Sequence, residues 1–176
     1  MHAGYSHNNH GWLDAPIPAE PHGLWVWGIR NDEVDIALVE IDGNIDFDYD
    51  DKILSKHPRK LTADDVLNTT IFMIGRDKAE QPKIVSGRII DICSQTPINV
   101  GYEDGEKSVS KLIVIAEIIH HADEVSYRTM SSAGDSGALV YDEYGSMIGM
   151  AIAGNNQFTY VIPFDVVLLH TQTIIV

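Results

Sequence analysis

From Gly23 onward the sequence is a succession of short apolar runs rich in β-branched residues, each ended within a few residues by glycine, proline, asparagine or aspartate. The runs read GLWVWGI, VDIALVEI, TIFMIG, KIVSGRIIDIC, KLIVIAEII, GALVYD, SMIGMAIAG and FTYVIPFDVVLL. Their lengths and spacing predict an all-β barrel or sandwich. Glycine and proline inside several runs favour bent barrel strands over flat sheet. Trp25 and Trp27 flank Val26 on one run, so an unbroken two-residue alternation puts both rings on one side. Two stretches depart from the pattern. PFDVVLLHTQ, near the C-terminal end, predicts a helix, whereas KLTADDVLNTT offers Thr62 as an N-cap but is too short for a secure one. Residues 1–22 are rich in His, Asn, Pro and Gly without a period and read as a loop or extended arm. A chain of 176 residues suffices for one large domain or two small packed halves, and no fixed repeat divides it.

Composition narrows the function classes. A formal net charge of −14 argues against nucleic acid or an anionic membrane as partner, because both reward lysine and arginine. No apolar run is long enough for a membrane span, so none is expected. The first residues have neither an apolar core nor a basic start, so they do not read as a secretory signal. The single cysteine, Cys93, allows no intrachain disulfide and no Cys-rich zinc site; it reads as a small buried strand residue, and an intracellular location is expected. Asp46, Asp48 and Asp50 have a D-x-D-x-D spacing that invites calcium. The EF-hand loop also needs Gly at its sixth position and Glu at its twelfth, where this chain has Asp51 and His57, so a solvated acidic loop is the better reading. The histidines of HAGYSHNNH stand without nearby cysteines or ordered carboxylates and read as surface residues. No metal and no cofactor are expected.

The stretch SSAGDSGALVYDEYGSMIGMAIAG carries the chemistry. An acyl-transfer serine must sit on a tight exposed turn, with main-chain N–H groups aimed where the oxyanion forms. Gly134 and Gly137 bracket Ser136 and give the backbone that freedom. Alone, Gly134-Asp135-Ser136-Gly137 is also a common β-turn composition. Its surroundings add more: an apolar run, a Gly-containing hairpin, then a Gly-ended strand. This succession resembles the C-terminal part of the chymotrypsin/trypsin-like serine protease family. Upstream, DIALVEI resembles the family's strand bearing the buried triad aspartate, here Asp35, and the separation from Asp35 to Ser136 leaves room for a strand-rich barrel between them. The resemblance covers Gly23 to the C-terminal residue and is greatest to short, disulfide-free relatives; the family's I-V-G-G activation terminus is absent.

The resemblance implies an all-β, chymotrypsin-like double β-barrel: residues 1–22 as an arm, 23–75 as the remnant of the N-terminal barrel, and 76–176 as the C-terminal barrel. It implies Ser136 as nucleophile, Gly134 and Ser136 as oxyanion-hole donors, and Asp35 as the residue that orients the imidazole. Ile152, Ala153 and Gly154 would pair with an extended peptide or protein substrate. Met130 would lie near the base of the side-chain pocket, where a methionine cannot pair with Lys or Arg, so a small or apolar substrate side chain is expected. Asp135 would lock the turn.

The family order places the base before Asp35. The candidates are His2, His7, His10 and His22. His2 has the best separation from Asp35, and His22 is too near. His120 and His121 follow the aspartate and read as strand-end residues. The family also places about three strands ahead of its histidine, whereas Asp35 comes too early in this sequence to leave room for them, so the N-terminal barrel is expected to be incomplete. Three expectations compete: a piece of a longer protease, a domain completed by a partner chain or a second copy, or an inactive relative kept as a peptide-binding or protein-binding module. The leading one is a serine peptidase acting through an acyl-enzyme at Ser136.

Overall fold

Burial alternates along the run TIFMIG: Ile71, Met73 and Gly75 point inward, while Ile74 is exposed. Such a two-residue period is what one strand of a closed barrel produces. The computed structural model describes residues 23–32, 34–41, 58–76, 82–102, 105–122 and 124–172. In chain order its strands are β1 (Gly23–Arg30), β2 (Asp35–Ile41), β3 (Thr70–Arg76), β4 (Pro82–Ser94), β5 (Ile98–Tyr102), β6 (Gly105–Val109), β7 (Leu112–His121), β8 (Glu124–Arg128), β9 (Leu139–Asp142), β10 (Met147–Gly154) and β11 (Thr159–Pro163). Helix α1 (Phe164–Gln172) follows β11, as PFDVVLLHTQ predicts, and Ala63–Asp65 form a single 3-10 turn behind Thr62.

Six strands close a barrel in the order β11-β10-β9-β3-β4-β7, with β7 pairing back to β11. All of these pairings are antiparallel. The all-β expectation therefore holds. The division of the chain at residues 75 and 76 falls inside β3, which pairs with β4 and β9 and so belongs to the barrel. The barrel core contains Ile71, Met73, Ile89, Ile113, Ile115, Met130, Val140, Ile148 and Val161.

A second apolar cluster explains β7. Residues Leu112 to Ala116 are buried in unbroken succession, which requires cover on both faces of the strand. Leu112 joins Val34, Ile36, Val109 and Ile162 outside the barrel, with Met150, Ile152, Tyr160 and Val166 packed against them. Thus the β1–β2 hairpin, the β5–β6 hairpin and α1 cover the flank formed by β10 and β11. Among the described residues, the sequence ahead of the barrel contributes one β-hairpin, tied at its turn by Asn31 N–H to Val34 O at 2.9 Å and Val34 N–H to Asn31 Oδ1 at 3.0 Å.

One expectation fails on a local irregularity. Cys93 is exposed, not buried, because the β4–β7 register slips between Ile89 and Asp91 and again before Ser94. The β1–β2 main-chain register also shifts between Trp25 and Trp27, while the two rings lie outside the described side chains. The acidic residues 42–51 and the histidines His2, His7, His10, His22 and His57 lie outside the described residues. Among the described residues no helix is long and apolar enough to cross a membrane.

Residues 58–69 fasten the barrel at the β9–β10 turn. Arg59 donates its N–H to Met147 O at 3.1 Å, and its guanidinium pairs with Asp65 and reaches Asp142 Oδ2 at 3.4 Å. Asp65 accepts hydrogen bonds from Thr62 N–H at 2.7 Å, Thr62 Oγ1 at 3.1 Å and Thr69 Oγ1 at 2.8 Å. Burial alone would raise its pKa. The Thr62 main-chain bond, the two hydroxyls and the Arg59 charge outweigh burial and hold it below the ordinary value of 3.8.

Candidate active site

The turn between the barrel interior and β9 carries the serine. Met130 is buried in the core, and the chain then emerges as Ser131-Ser132-Ala133. Gly134 has φ +95° and Gly137 φ +91°, a region that side chains other than hydrogen adopt at a cost. Asp135, 6% exposed, turns inward and accepts Ser132 N–H on Oδ2 at 2.8 Å. The carboxylate lies against Gly75 of β3: a Cβ added there would come within 2.9 Å of Asp135 Oδ2. Asp135 N–H donates to Ser132 O at 3.1 Å and Ala138 N–H to Asp135 O at 2.9 Å, closing the turn on both sides. With Asp135 fixed inward, its neighbour Ser136 is directed outward and exposed.

The N–H groups of Gly134 and Ser136, the two expected oxyanion donors, donate to no other residue among those described. Ser136 and Gly137 bond instead to the neighbouring strand: Gly137 N–H donates to Ala151 O at 2.8 Å, and Ser136 Oγ to Ile152 O at 3.1 Å.

The strand end Ile152-Ala153-Gly154 lies beside this turn. β10 sits between β9 and β11 for most of its length, but its β9 pairing ends at Met150. Beyond that point only β11, among the described strands, continues alongside it, opposite Ala153 and Gly154. A register shift between Ala151 and Ala153 makes Ile152 a bulged residue, and this frees its carbonyl for Ser136. The overhang leaves an open strand edge, the requirement for peptide addition. Between it and residues 131–136 runs an open cleft of about 400 Å³.

The expected residues are thus brought together in part. Ser136, Gly134, Ile152, Ala153 and Gly154 share one site. Asp35 opens β2, its main chain opposite Arg30, and nothing is described of its side chain. Its neighbour Ile36 is 3% exposed in the cluster against which Ile152 packs, so the start of β2 lies on the flank of the site. Met130 does not line the cleft; Thr129 and Ser131 on either side of it do. Sequence reasoning missed these two hydroxyls and Thr159, which bonds to both. His2 lies outside the described residues. His120 and His121 are exposed at the tip of the β7–β8 hairpin, as strand-end residues. Among the described residues, no imidazole hydrogen-bonds to Ser136.

No protein-family model matches this sequence, and no curated protein is significantly similar to it. Solved structures do match. The crystal structure of the MamO protease domain from Magnetospirillum magneticum, in its apo form, aligns with a TM-score of 0.51 at 17% sequence identity. The alignment covers 84% of this chain. The fold is chymotrypsin-like. At that identity the likeness concerns the fold alone, and this chain spans 66% of the MamO domain's own length.

Proposed function

We propose that this chain is a serine peptidase domain that opens peptide bonds through an acyl-enzyme on Ser136, with Asp35 and His2 as its orienting acid and base. The observation that carries the reading is an exposed Ser136 set between two glycines of positive φ, with two N–H groups unengaged among the described residues, beside an open strand edge. A peptide added along 152–154 places a carbonyl over Ser136. Oγ attacks the carbonyl carbon and its proton passes to the imidazole. The oxygen that gains charge takes the Gly134 and Ser136 N–H groups, and the departing amine takes the proton back. Water then releases the acyl group by the same route. The strands expected ahead of Asp35 would come from more of the same chain, from a partner or from a second copy.

A second reading, peptide binding without hydrolysis, is favoured by one observation: Ser136 donates its hydroxyl proton to the Ile152 carbonyl. A fluorophosphonate probe separates the two. Labelling that is lost in both Ser136→Ala and His2→Ala supports the peptidase. An unlabelled wild-type chain that still binds peptide supports the second.

A further inference from the structure

The cleft beside Ser136 ends in a knot of hydroxyls. Thr159, 0% exposed, receives Met130 N–H and Ser131 N–H on its Oγ1, both at 3.0 Å. Those two bonds occupy both lone pairs, so this hydroxyl can now only donate. Its neighbours are Thr129 Oγ1 at 2.8 Å and Ser131 Oγ at 2.9 Å, themselves 3.3 Å apart, and both residues line the cleft. Whichever of them takes the Thr159 proton can pass its own to the other. When Thr129 takes the Thr159 proton, the chain of donors ends on Ser131 Oγ in the cleft lining; when Ser131 takes it, the chain ends on Thr129 Oγ1, whose proton has the Ser131 carbonyl at 3.4 Å, so the donor offered to the cleft is Ser131 Oγ.

The knot also sets the depth. A Cβ added to Gly154 would lie 2.5 Å from Ser131 Oγ and 3.1 Å from Thr129 Oγ1, so the hydroxyl floor rises to the level of the strand edge. Beneath it Met130 is 4% exposed within the barrel core, which seals the floor from below. The cleft walls are short, with Ala133, Ala151 and Ala153 among them, and among the described residues Asp135 is the one charged side chain in the lining.

We infer that this cleft receives the substrate side chain preceding the scissile bond, and selects one that is short, uncharged and able to accept a hydrogen bond, of the asparagine or serine class. The inference rests on the peptidase reading for its placement of the substrate carbonyl at Ser136. A cationic side chain meets Asp135 as a carboxylate turned under the loop onto Ser132 N–H and 6% exposed, a long apolar one meets a floor of hydroxyls, and a carboxylate finds no cation among the described lining residues.

The test uses peptides identical except at that one position, carrying Asn, Ser, Ala, Leu, Arg or Glu, with binding to the Ser136→Ala chain read by fluorescence anisotropy. Binding needs no hydrolysis, so the outcome is separate from the labelling assay. The expected result is preference for Asn and Ser over Leu, Arg and Glu. The preference over Ala should be about ten-fold and should collapse in Thr129→Val and in Ser131→Ala, as removal of one partly buried hydrogen-bonding hydroxyl implies. Two variants are needed because either substitution alone can disturb the knot. Equal binding of all peptides, preference for Leu or Arg, or no binding at all overturns the inference; the peptidase reading then stands or falls by labelling alone.

Discussion

At its turn the β9–β10 hairpin is anchored by Asp142, 1% exposed, whose Oδ1 accepts Tyr144 N–H at 2.9 Å and Ser146 N–H at 2.8 Å while Oδ2 faces Arg59. At the opposite end, across the short strand β9, the hairpin meets the nucleophile turn and Asp135. Both ends use a buried aspartate to cap main-chain N–H groups. They differ in what is left over. The Asp142 end occupies its carboxylate with two N–H groups and a cation, and its turn needs one glycine of positive φ, Gly145. The Asp135 end needs two such glycines and leaves the Gly134 and Ser136 N–H groups unengaged among the described residues. One end of the hairpin is built for stability. The other keeps donors available, and a ligand would have to satisfy them.

Asp142→Ala should break this contrast most strongly. It strips two main-chain N–H groups of their acceptor and takes from Arg59 the more distant of its two carboxylate partners, leaving Asp65. Loss of one partner of a buried charged cluster costs about 3–5 kcal/mol, and the partial exposure of Arg59 brings the expectation to about 2–3 kcal/mol. Urea denaturation should show that loss, while the chain that remains folded labels at Ser136 as before. A change no larger than that of an ordinary surface substitution, about 0.5 kcal/mol, would mean that the clasp is ornamental.

At the other end, Gly137→Ala should do the reverse. Nothing lies within 4 Å of the added Cβ, so the penalty is that of φ +91° alone, about 1–2 kcal/mol. To escape it, the turn must rotate and carry Ser136 with it. Labelling should slow by at least ten-fold, with a smaller loss of stability than Asp142→Ala produces. Gly75→Ala tests the same turn from beneath, through the approach of its Cβ to Asp135 Oδ2. A similar drop in labelling is expected, and unchanged labelling would show that Asp135 does not hold the turn.

The two ends also differ in how much the sequence reveals. The nucleophile turn and the 152–154 strand are close neighbours along the chain and follow a contiguous pattern, and the barrel strands and α1 follow from local period and punctuation. The clasp depends on Arg59 meeting Asp142, 83 residues away, and the hydroxyl knot on Thr159 meeting Thr129, 30 residues away. No short window contains such pairs. Bulges are equally hidden: the shifts at Ile152 and along β4 decide which groups face the site or the solvent, yet the residues there look like ordinary strand. Met130 sits beneath the cleft floor rather than in its lining, because a motif fixes position along the chain but not which side of a turn faces the core.

The smallest expected effect concerns pH, and it belongs to the clasp. Asp65 has a folded-state pKa below the ordinary 3.8, so at neutral pH its ionised form stabilises the fold. As pH falls towards 3.8 the unfolded chain takes up the proton first, and the advantage shrinks. It is gone once pH passes below the depressed folded value. Urea midpoints measured from pH 7 down to pH 3 should therefore fall at the acid end, and Asp65→Asn should flatten that part of the profile after its lower starting stability is allowed for. The Asp135 end supplies the control, because Ser136→Ala removes no group that titrates in this range and should leave the acid limb unchanged. A profile as steep in Asp65→Asn as in wild type would assign the acid sensitivity to other carboxylates and remove the clasp from the account.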